Sequence, residues 1–223
     1  MPRVLYHLWT SPACRKIRLM LAEKQLPFDL VVERPWERRP AFLTLNPAAE
    51  VPVLVEDTGA VIAGATAIEE YLDEAYPEHP LLPADLAGRA EVRRLVAWFD
   101  GKFQREVTDL LVEEKLTRRL SGTGHPSSQA VRAGHSNIKI HLEYIAWLAD
   151  RRRYLGGDQF GRADIAAAAH LSAVDYLGDV PWDDHPIARQ WYARVKSRPT
   201  FRGLLADSIP GAPPPKHYAD LDF

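Results

Sequence analysis

The chain is poor in the residues that build disulfides, metal sites and membrane spans. Its 223 residues include a single cysteine, Cys14, so no disulfide can form within the chain. The eight histidines are scattered and none has metal-ligand spacing to cysteine or carboxylate residues, so no metal is expected. No apolar run reaches membrane length, and the first residues lack the apolar run of a signal peptide. We therefore expect a cytoplasmic protein.

The chain also lacks an excess of charge of one sign. Its formal net charge is −2, and basic clusters such as residues 151–153 are offset by acidic residues elsewhere. This balance gives no overall attraction to nucleic acid or to an anionic membrane, so neither is expected as a partner. The length is sufficient for two small domains, each with its own core.

Short strands and helices alternate in the first part of the chain. Ser11 is a good N-cap and Pro12 suits a first helical turn, so a helix is expected to begin there. Asp57-Thr58-Gly59 is a strong hairpin turn between two apolar segments. The predicted elements are strands at 4–9 and 28–33, a helix at 14–24, a hairpin with strands at 51–55 and 60–62, and a helix at 67–75. This order predicts an α/β domain over residues 1–78.

A proline-rich linker at 79–86 separates this domain from a helical one. Apolar residues at helical spacing continue to residue 207. The predicted helices lie at 86–120, around 138–148, and at 165–177, 187–196 and 201–206. Residues 208–223 then form a tail, with a proline-rich run that favours an extended conformation and an acidic-aromatic end. We therefore predict an all-α domain over residues 87–207, followed by a tail.

Four motifs resemble those of the glutathione transferases, and the resemblance covers nearly the whole chain. They are the turn at 11–18, the Asn46-Pro47 and 51–54 segment, the closing helix at 67–72, and Ala163-Asp164-Ile165-Ala166. The resemblance implies a thioredoxin-like N-terminal domain and an all-α C-terminal bundle. It also implies a cis peptide bond before Pro52, which would expose the backbone of Val51 to the backbone of glutathione.

The glutathione site of that family is only partly present. A hydroxyl at the start of the first helix stabilises the thiolate in the family, and Ser11 is placed for that role. The family usually has an acidic residue or glutamine followed by serine where this chain has Gly64 and Ala65. Glu50 stands where many relatives have lysine or glutamine, and its charge would repel the glycyl carboxylate. The site is therefore predicted to be degraded, and no cofactor is expected.

Ser11 and Cys14 each have a simpler interpretation. In the simpler interpretation Ser11 has no role beyond capping the first helix, because serine is a common N-cap in all classes of protein. Cys14 near a helix start could have a lowered pKa and act as a redox thiol, but a small buried helix residue is the favoured interpretation. Both are vestigial catalytic candidates.

Two segments have the composition of partner-binding surfaces. Trp36, Arg38 and Arg39 lie in a loop where a tryptophan stands among arginines, although the tryptophan could instead fold back and cover the junction between domains. The tail ends in apolar and acidic residues that are costly to leave in solvent, which favours a docking peptide over a disordered end. The tail residues proposed for docking are Tyr218, Leu221, Asp222 and Phe223.

Several of these segments together resemble a cell-division subgroup of the glutathione transferases. They are residues 33–40, 64–65, 96–103 and 218–223. The resemblance implies a non-catalytic homodimer that binds the tubulin-like polymer FtsZ, favours curved and bundled filaments, and regulates constriction at the division site. As hypotheses, one partner surface is placed on the Trp36 loop or on the first long helix, and a second on the C-terminal tail, where a second division or wall-synthesis factor would bind. The sequence does not indicate which of these surfaces contacts FtsZ. The alternative is a glutathione or thiol transferase that uses Ser11 or Cys14, and a weaker third interpretation is a carrier of a small ligand.

Overall fold

The computed structural model describes residues 2–221, which form two compact units, one ending at Leu81 and the other beginning at Leu82. The elements of the first unit are β1 (Val4–His7), α1 (Pro12–Glu23), β2 (Asp29–Val32), a 3-10 turn (Pro35–Glu37), α2 (Pro40–Leu43), β3 (Val53–Val55), β4 (Val61–Ala63) and α3 (Ala65–Ala75). The sheet has the order β2-β1-β3-β4, in which β1 and β2 are parallel and the remaining pairs are antiparallel. The predicted strand–helix–strand unit and hairpin are therefore both present.

Charged residues of α1 and its neighbours are buried in ion pairs within this unit. Lys16 pairs with Glu69 of α3, and the Lys24 amine lies 2.8 Å from a carboxylate oxygen of Asp73. The guanidinium of Arg3 donates to Glu56 at 2.8 Å. Because a buried charge is stable only when it is compensated, these pairs fix α3 against α1 and β1 against the hairpin.

The second unit is helical, and most of its elements agree with the prediction. They are α4 (Leu86–Ala97), which continues without a break into a wide-turned helix (Trp98–Thr117) and α5 (Arg118–Ser121), then α6 (Ser128–Arg151), α7 (Arg162–Asp175), α8 (Pro186–Lys196) and α9 (Arg202–Leu205). The first three form the long helix predicted at 86–120. Every residue of α7 is buried, as its alanine-rich sequence predicts.

The wide-turned segment of the long helix was not predicted. Its backbone hydrogen bonds span five residues instead of four, from Trp98 to Thr117. Phe99, Phe103, Val107 and Leu111, spaced by four residues, are all completely buried. These four side chains contribute to the buried face of the long helix.

Asp164 connects α7 to two other segments. Its carboxylate accepts hydrogen bonds from the backbone N–H of Leu155 and the indole N–H of Trp191, both at 2.9 Å, and from the N–H of Gly161 at 3.4 Å. Burial raises the pKa of Asp164 to about 6, against these donors, which favour the ionised form. Asp164 therefore caps α7 at Gly161 and fixes α8 and the loop before α7 in place.

The prediction that Tyr218 is available to a docking partner is wrong. Tyr218 is completely buried, its hydroxyl donates to the carbonyl of Leu204 at 3.0 Å, and its ring lies edge-on to Tyr176. Ile209 is also buried, and its N–H donates to the Tyr176 hydroxyl at 2.7 Å. Lys196 donates to the carbonyl of His217 at 3.1 Å. Ile209 and Tyr218 therefore attach both ends of the proline-rich segment to the helical core.

Candidate functional site

The start of α1 is built as the sequence predicts, but it leaves little reactive chemistry. The hydroxyl of Ser11 accepts a hydrogen bond from the backbone N–H of Cys14 at 3.3 Å and so caps the helix. Ser11 remains half-buried. Cys14 is completely buried, and its sulfur accepts from the N–H of Leu8 at 3.4 Å. Burial raises the pKa of Cys14 to about 11, which favours the interpretation as a small buried helix residue over that as a redox thiol.

The buried thiol gives a prediction about chemical labelling. At pH 7.5 only about one Cys14 side chain in 3,000 should be a thiolate, given a pKa of about 11. We expect an alkylating reagent to label the native protein only as fast as the protein unfolds, and the denatured protein within minutes. Since the folded chain disfavours the thiolate, its stability should fall as the pH rises above about 8.5. Rapid stoichiometric labelling of the native protein at pH 7.5, followed by mass spectrometry, would contradict this.

The backbone frame of a glutathione site is present in the first unit. The Val51-Pro52 peptide bond is cis, and the amide of Asn46 donates to the carbonyl of Glu50 at 2.8 Å. The carbonyl of Pro52 accepts from the N–H of Gly64 at 3.1 Å, which places the start of α3 beside the cis-proline.

The side chains of that frame do not complete the site. The helix α3 begins at Ala65, two residues before its predicted start, because Gly64 acts as its N-cap. Gly64 and Ala65 carry no side-chain donor or acceptor, so neither residue can form a side-chain hydrogen bond to the helix start or to a ligand. Glu50 is exposed, with its carboxylate available to solvent. The frame therefore offers backbone groups, and the charge of Glu50 is unfavourable to an anionic ligand.

The loop around Trp36 is ordered by its own short-range contacts. Trp36 is half-buried in the 3-10 turn, and Arg38 follows in a left-handed conformation with its side chain exposed. Arg39 forms a bidentate ion pair with Glu33, which is completely buried. Trp36 and Arg38 therefore stay available for a partner, whereas Arg39 mainly anchors the loop.

The structure separates the predicted tail residues into three groups. Tyr218 belongs to the core and is not available to a partner. Leu221 has 40% of its surface exposed. Asp222 and Phe223 lie outside the described residues.

The sequence analysis missed a row of partly exposed aromatic side chains in the second unit. Trp98 and Tyr144 lie with ring centroids 4.6 Å apart, and Trp147 stacks on Tyr144 at 6.3 Å. Trp147 is half-exposed, and Arg151 lies 4.5 Å from the centre of its ring. The spacing of Tyr144, Trp147 and Arg151 along α6 was the available signal. Within residues 2–221, no helix could cross a membrane and no cluster of side chains could hold a metal ion.

Models of both domains of one family match the chain. The N-terminal domain of the glutathione S-transferases matches residues 10–75, and the C-terminal domain matches residues 137–199. The chain therefore belongs to the glutathione S-transferase family. The predicted fold, an α/β thioredoxin-like domain followed by an all-α bundle, is confirmed.

Individual relatives indicate a narrower group than the family models do. FtsZ-localized protein A of Caulobacter vibrioides is 48% identical over 99% of this chain and 98% of its own length. The solved structure of FzlA from C. crescentus covers all of both chains with a TM-score of 0.96. The crystal structure of a glutathione S-transferase from Rhodospirillum rubrum F11 is 58% identical, with a TM-score of 0.97 over 99% of this chain and all of its own. The predicted resemblance to the cell-division subgroup is confirmed, which supports an FtsZ-associated role.

Proposed function

We propose that the protein is a non-catalytic scaffold that binds FtsZ filaments at the division site, promotes their curvature and bundling, and regulates constriction. The observation that carries this proposal is the similarity to FtsZ-localized protein A, which extends over 99% of the chain. A homodimer would present each filament-binding surface twice. Two copies of a weak site can bridge or bend a polymer by avidity without any chemical step.

The incomplete glutathione frame supports a non-catalytic role. Gly64 and Ala65 provide no side chain to bind the γ-glutamyl end of glutathione, and Glu50 opposes its glycyl carboxylate. Cys14 cannot replace glutathione as the nucleophile, because it is buried and its pKa is raised. A backbone frame that is kept without its binding side chains is consistent with selection for the fold rather than for turnover.

The Trp36 loop is the surface that we assign to FtsZ. A half-buried tryptophan beside an exposed arginine is the composition found at the energetic centres of interfaces. The Arg39–Glu33 pair and the 3-10 turn order this loop before binding, which lowers the entropic cost of association.

Replacing this tryptophan should weaken filament binding. Trp36→Ala is expected to lower the affinity for FtsZ polymer roughly tenfold or more, because a hot-spot residue contributes about 2 kcal/mol. The measurement is co-sedimentation with FtsZ polymerised in GTP, over a range of polymer concentrations. Trp147→Ala is the matched control, since Trp147 is a half-exposed tryptophan in the other unit. If the two variants lose affinity for FtsZ polymer equally, or if neither loses any, the assignment of the Trp36 loop to FtsZ is wrong.

The end of the tail is proposed as the site of a second division or wall-synthesis factor. Because Tyr218 is part of the core, only Leu221 and the two residues after it remain for this role. The core anchors the chain just before them through Tyr218.

A glutathione transferase that uses Ser11 is the second candidate. The observation in its favour is that the Ser11 hydroxyl lies at the start of α1, in the unit that also contains the cis-proline frame. The relative from Rhodospirillum rubrum is itself described as a glutathione S-transferase. Activity that is lost in Ser11→Ala would favour this candidate.

A further inference from the structure

Two aromatic rings in the second unit each have an arginine against them, and a third arginine lies next to one of these. The guanidinium of Arg198 lies 3.9 Å from the ring centre of Phe160, and that of Arg153 lies 5.7 Å from the ring centre of Tyr154. The two rings meet edge to face, with centroids 5.7 Å apart. Arg194 joins the group by donating to the backbone carbonyl of Arg153 at 2.7 Å. We call these five residues the arginine cluster.

The loop that carries Arg153 and Tyr154 is held in a fixed conformation. Tyr154 and Gly157 exchange two backbone hydrogen bonds, at 2.8 and 3.1 Å. Gly157 has a φ of +145°, which favours glycine at this turn. Between them Leu155 is completely buried, its N–H is bound by Asp164, and its carbonyl accepts from Arg152 at 2.9 Å. The cluster is therefore preorganised, and binding would cost little loop entropy.

Within residues 2–221, neither Arg153 nor Arg194 forms an ion pair, although both are exposed. The arginines beside them differ in this respect. Arg151 pairs with Asp150, and Arg152 donates to Glu91 at 2.8 Å. Arg153 and Arg194 thus present positive charge that no ion pair within residues 2–221 neutralises.

We propose that the arginine cluster binds an acidic peptide segment of a partner protein. A guanidinium placed over a ring keeps its N–H edge free, and this edge matches a carboxylate in two parallel hydrogen bonds. Aromatic rings beside the arginines add apolar contact area for the side chains between the acidic residues. The positive charges of Arg153 and Arg194 are complementary to the negative charges of the peptide carboxylates. This inference does not depend on the FtsZ-binding role.

An acidic peptide fits the cluster better than a nucleic acid does. Strong binding to a nucleic acid takes about 6–10 phosphate contacts along a basic track. The cluster contains three arginines, in a chain with a net charge of −2. A peptide segment with two or three carboxylates matches the number of arginines in the cluster.

The test is fluorescence anisotropy of labelled twelve-residue peptides added to the full chain. The probe alternates glutamate with serine and tyrosine, and a control peptide has lysine in place of each glutamate. A single-stranded dT oligonucleotide of equal length is the third probe. We expect the glutamate peptide to bind with an affinity that falls as salt is raised, at least tenfold more tightly than either control.

Two double variants test the residues. Arg153→Glu/Arg194→Glu should weaken binding of the glutamate peptide roughly tenfold or more, since two favourable charges become repulsive. Arg132→Glu/Lys139→Glu is the matched control, because both residues are exposed on α6, lie outside the cluster and give the same change in net charge. The control should change the affinity less than twofold. Arg153→Gln/Arg194→Gln, with unfolding temperatures for all variants, checks that any loss is not caused by misfolding.

Three outcomes would overturn the proposal. The first is no binding of the glutamate peptide at low salt. The second is an equal loss in both charge-reversal variants, which would reflect bulk charge alone. The third is preferential binding of the oligonucleotide through the same arginines, which would make the cluster a nucleic-acid surface.

Discussion

A chain that ends at His217 is expected to be roughly 3–5 kcal/mol less stable than a chain that ends at Asp220. The difference is Tyr218 and the two residues that follow it. Tyr218 is completely buried, contacts Tyr176 edge-on and donates to the carbonyl of Leu204. Deleting a buried aromatic side chain leaves a cavity and an unsatisfied carbonyl.

Urea unfolding followed by circular dichroism measures this difference directly. Tyr218→Phe is a graded control, because it removes only the hydroxyl and should cost about 1 kcal/mol. Equal stability of the two truncated chains would contradict the placement of Tyr218 in the core. The shorter deletion is also the suitable variant for testing the tail, since it removes Leu221, Asp222 and Phe223 and keeps Tyr218.

Glutathione is expected to bind at least about a hundredfold more weakly to this protein than to a relative with both binding side chains. Gly64 and Ala65 cannot form the two charge-assisted hydrogen bonds of such a relative, and each of these bonds is worth about 1.5–3 kcal/mol. Isothermal titration should show no saturable heat at concentrations that saturate the relative. A generic electrophile should be conjugated no faster than in buffer.

A restored variant provides the control for this result. Glu50→Gln/Ala65→Ser removes the repulsive charge and returns one hydroxyl to the start of α3. Neither position has a positive φ, so neither replacement strains the backbone. We expect this variant to gain affinity for glutathione roughly tenfold or more. Micromolar binding by the unmodified chain would contradict the account of a degraded site.

Local signals were sufficient to predict the first unit. Ser11-Pro12 marks the start of α1, and Asp57-Thr58-Gly59 marks the hairpin, because capping and turn chemistry act over a few residues. The cis bond before Pro52 was implied by a family motif and is present. The degraded glutathione site stays a prediction, which rests on the residue types at positions 50, 64 and 65.

The features that sequence reasoning missed depend on contacts between distant residues. Lys16 and Glu69 lie on different helices, and no local pattern shows that both are buried together. Tyr218 stands in a segment whose composition favours disorder, and only the packing beside Tyr176 determines its burial. Arg153 and Arg194 come from separate segments, so their shared surface emerges only in the folded chain. Tertiary packing decided each of these positions.

Co-sedimentation of the purified full-length protein with FtsZ tests the central claim most directly. The protein would be mixed with FtsZ polymerised in GTP, and in parallel with unpolymerised FtsZ in GDP, both in the presence of excess glutathione. The scaffold role predicts that the protein enters the pellet in a saturable manner with polymer only, and that glutathione makes no difference. If the protein stays in the supernatant at every polymer concentration, or if glutathione releases it, the account of a glutathione-independent filament scaffold is wrong.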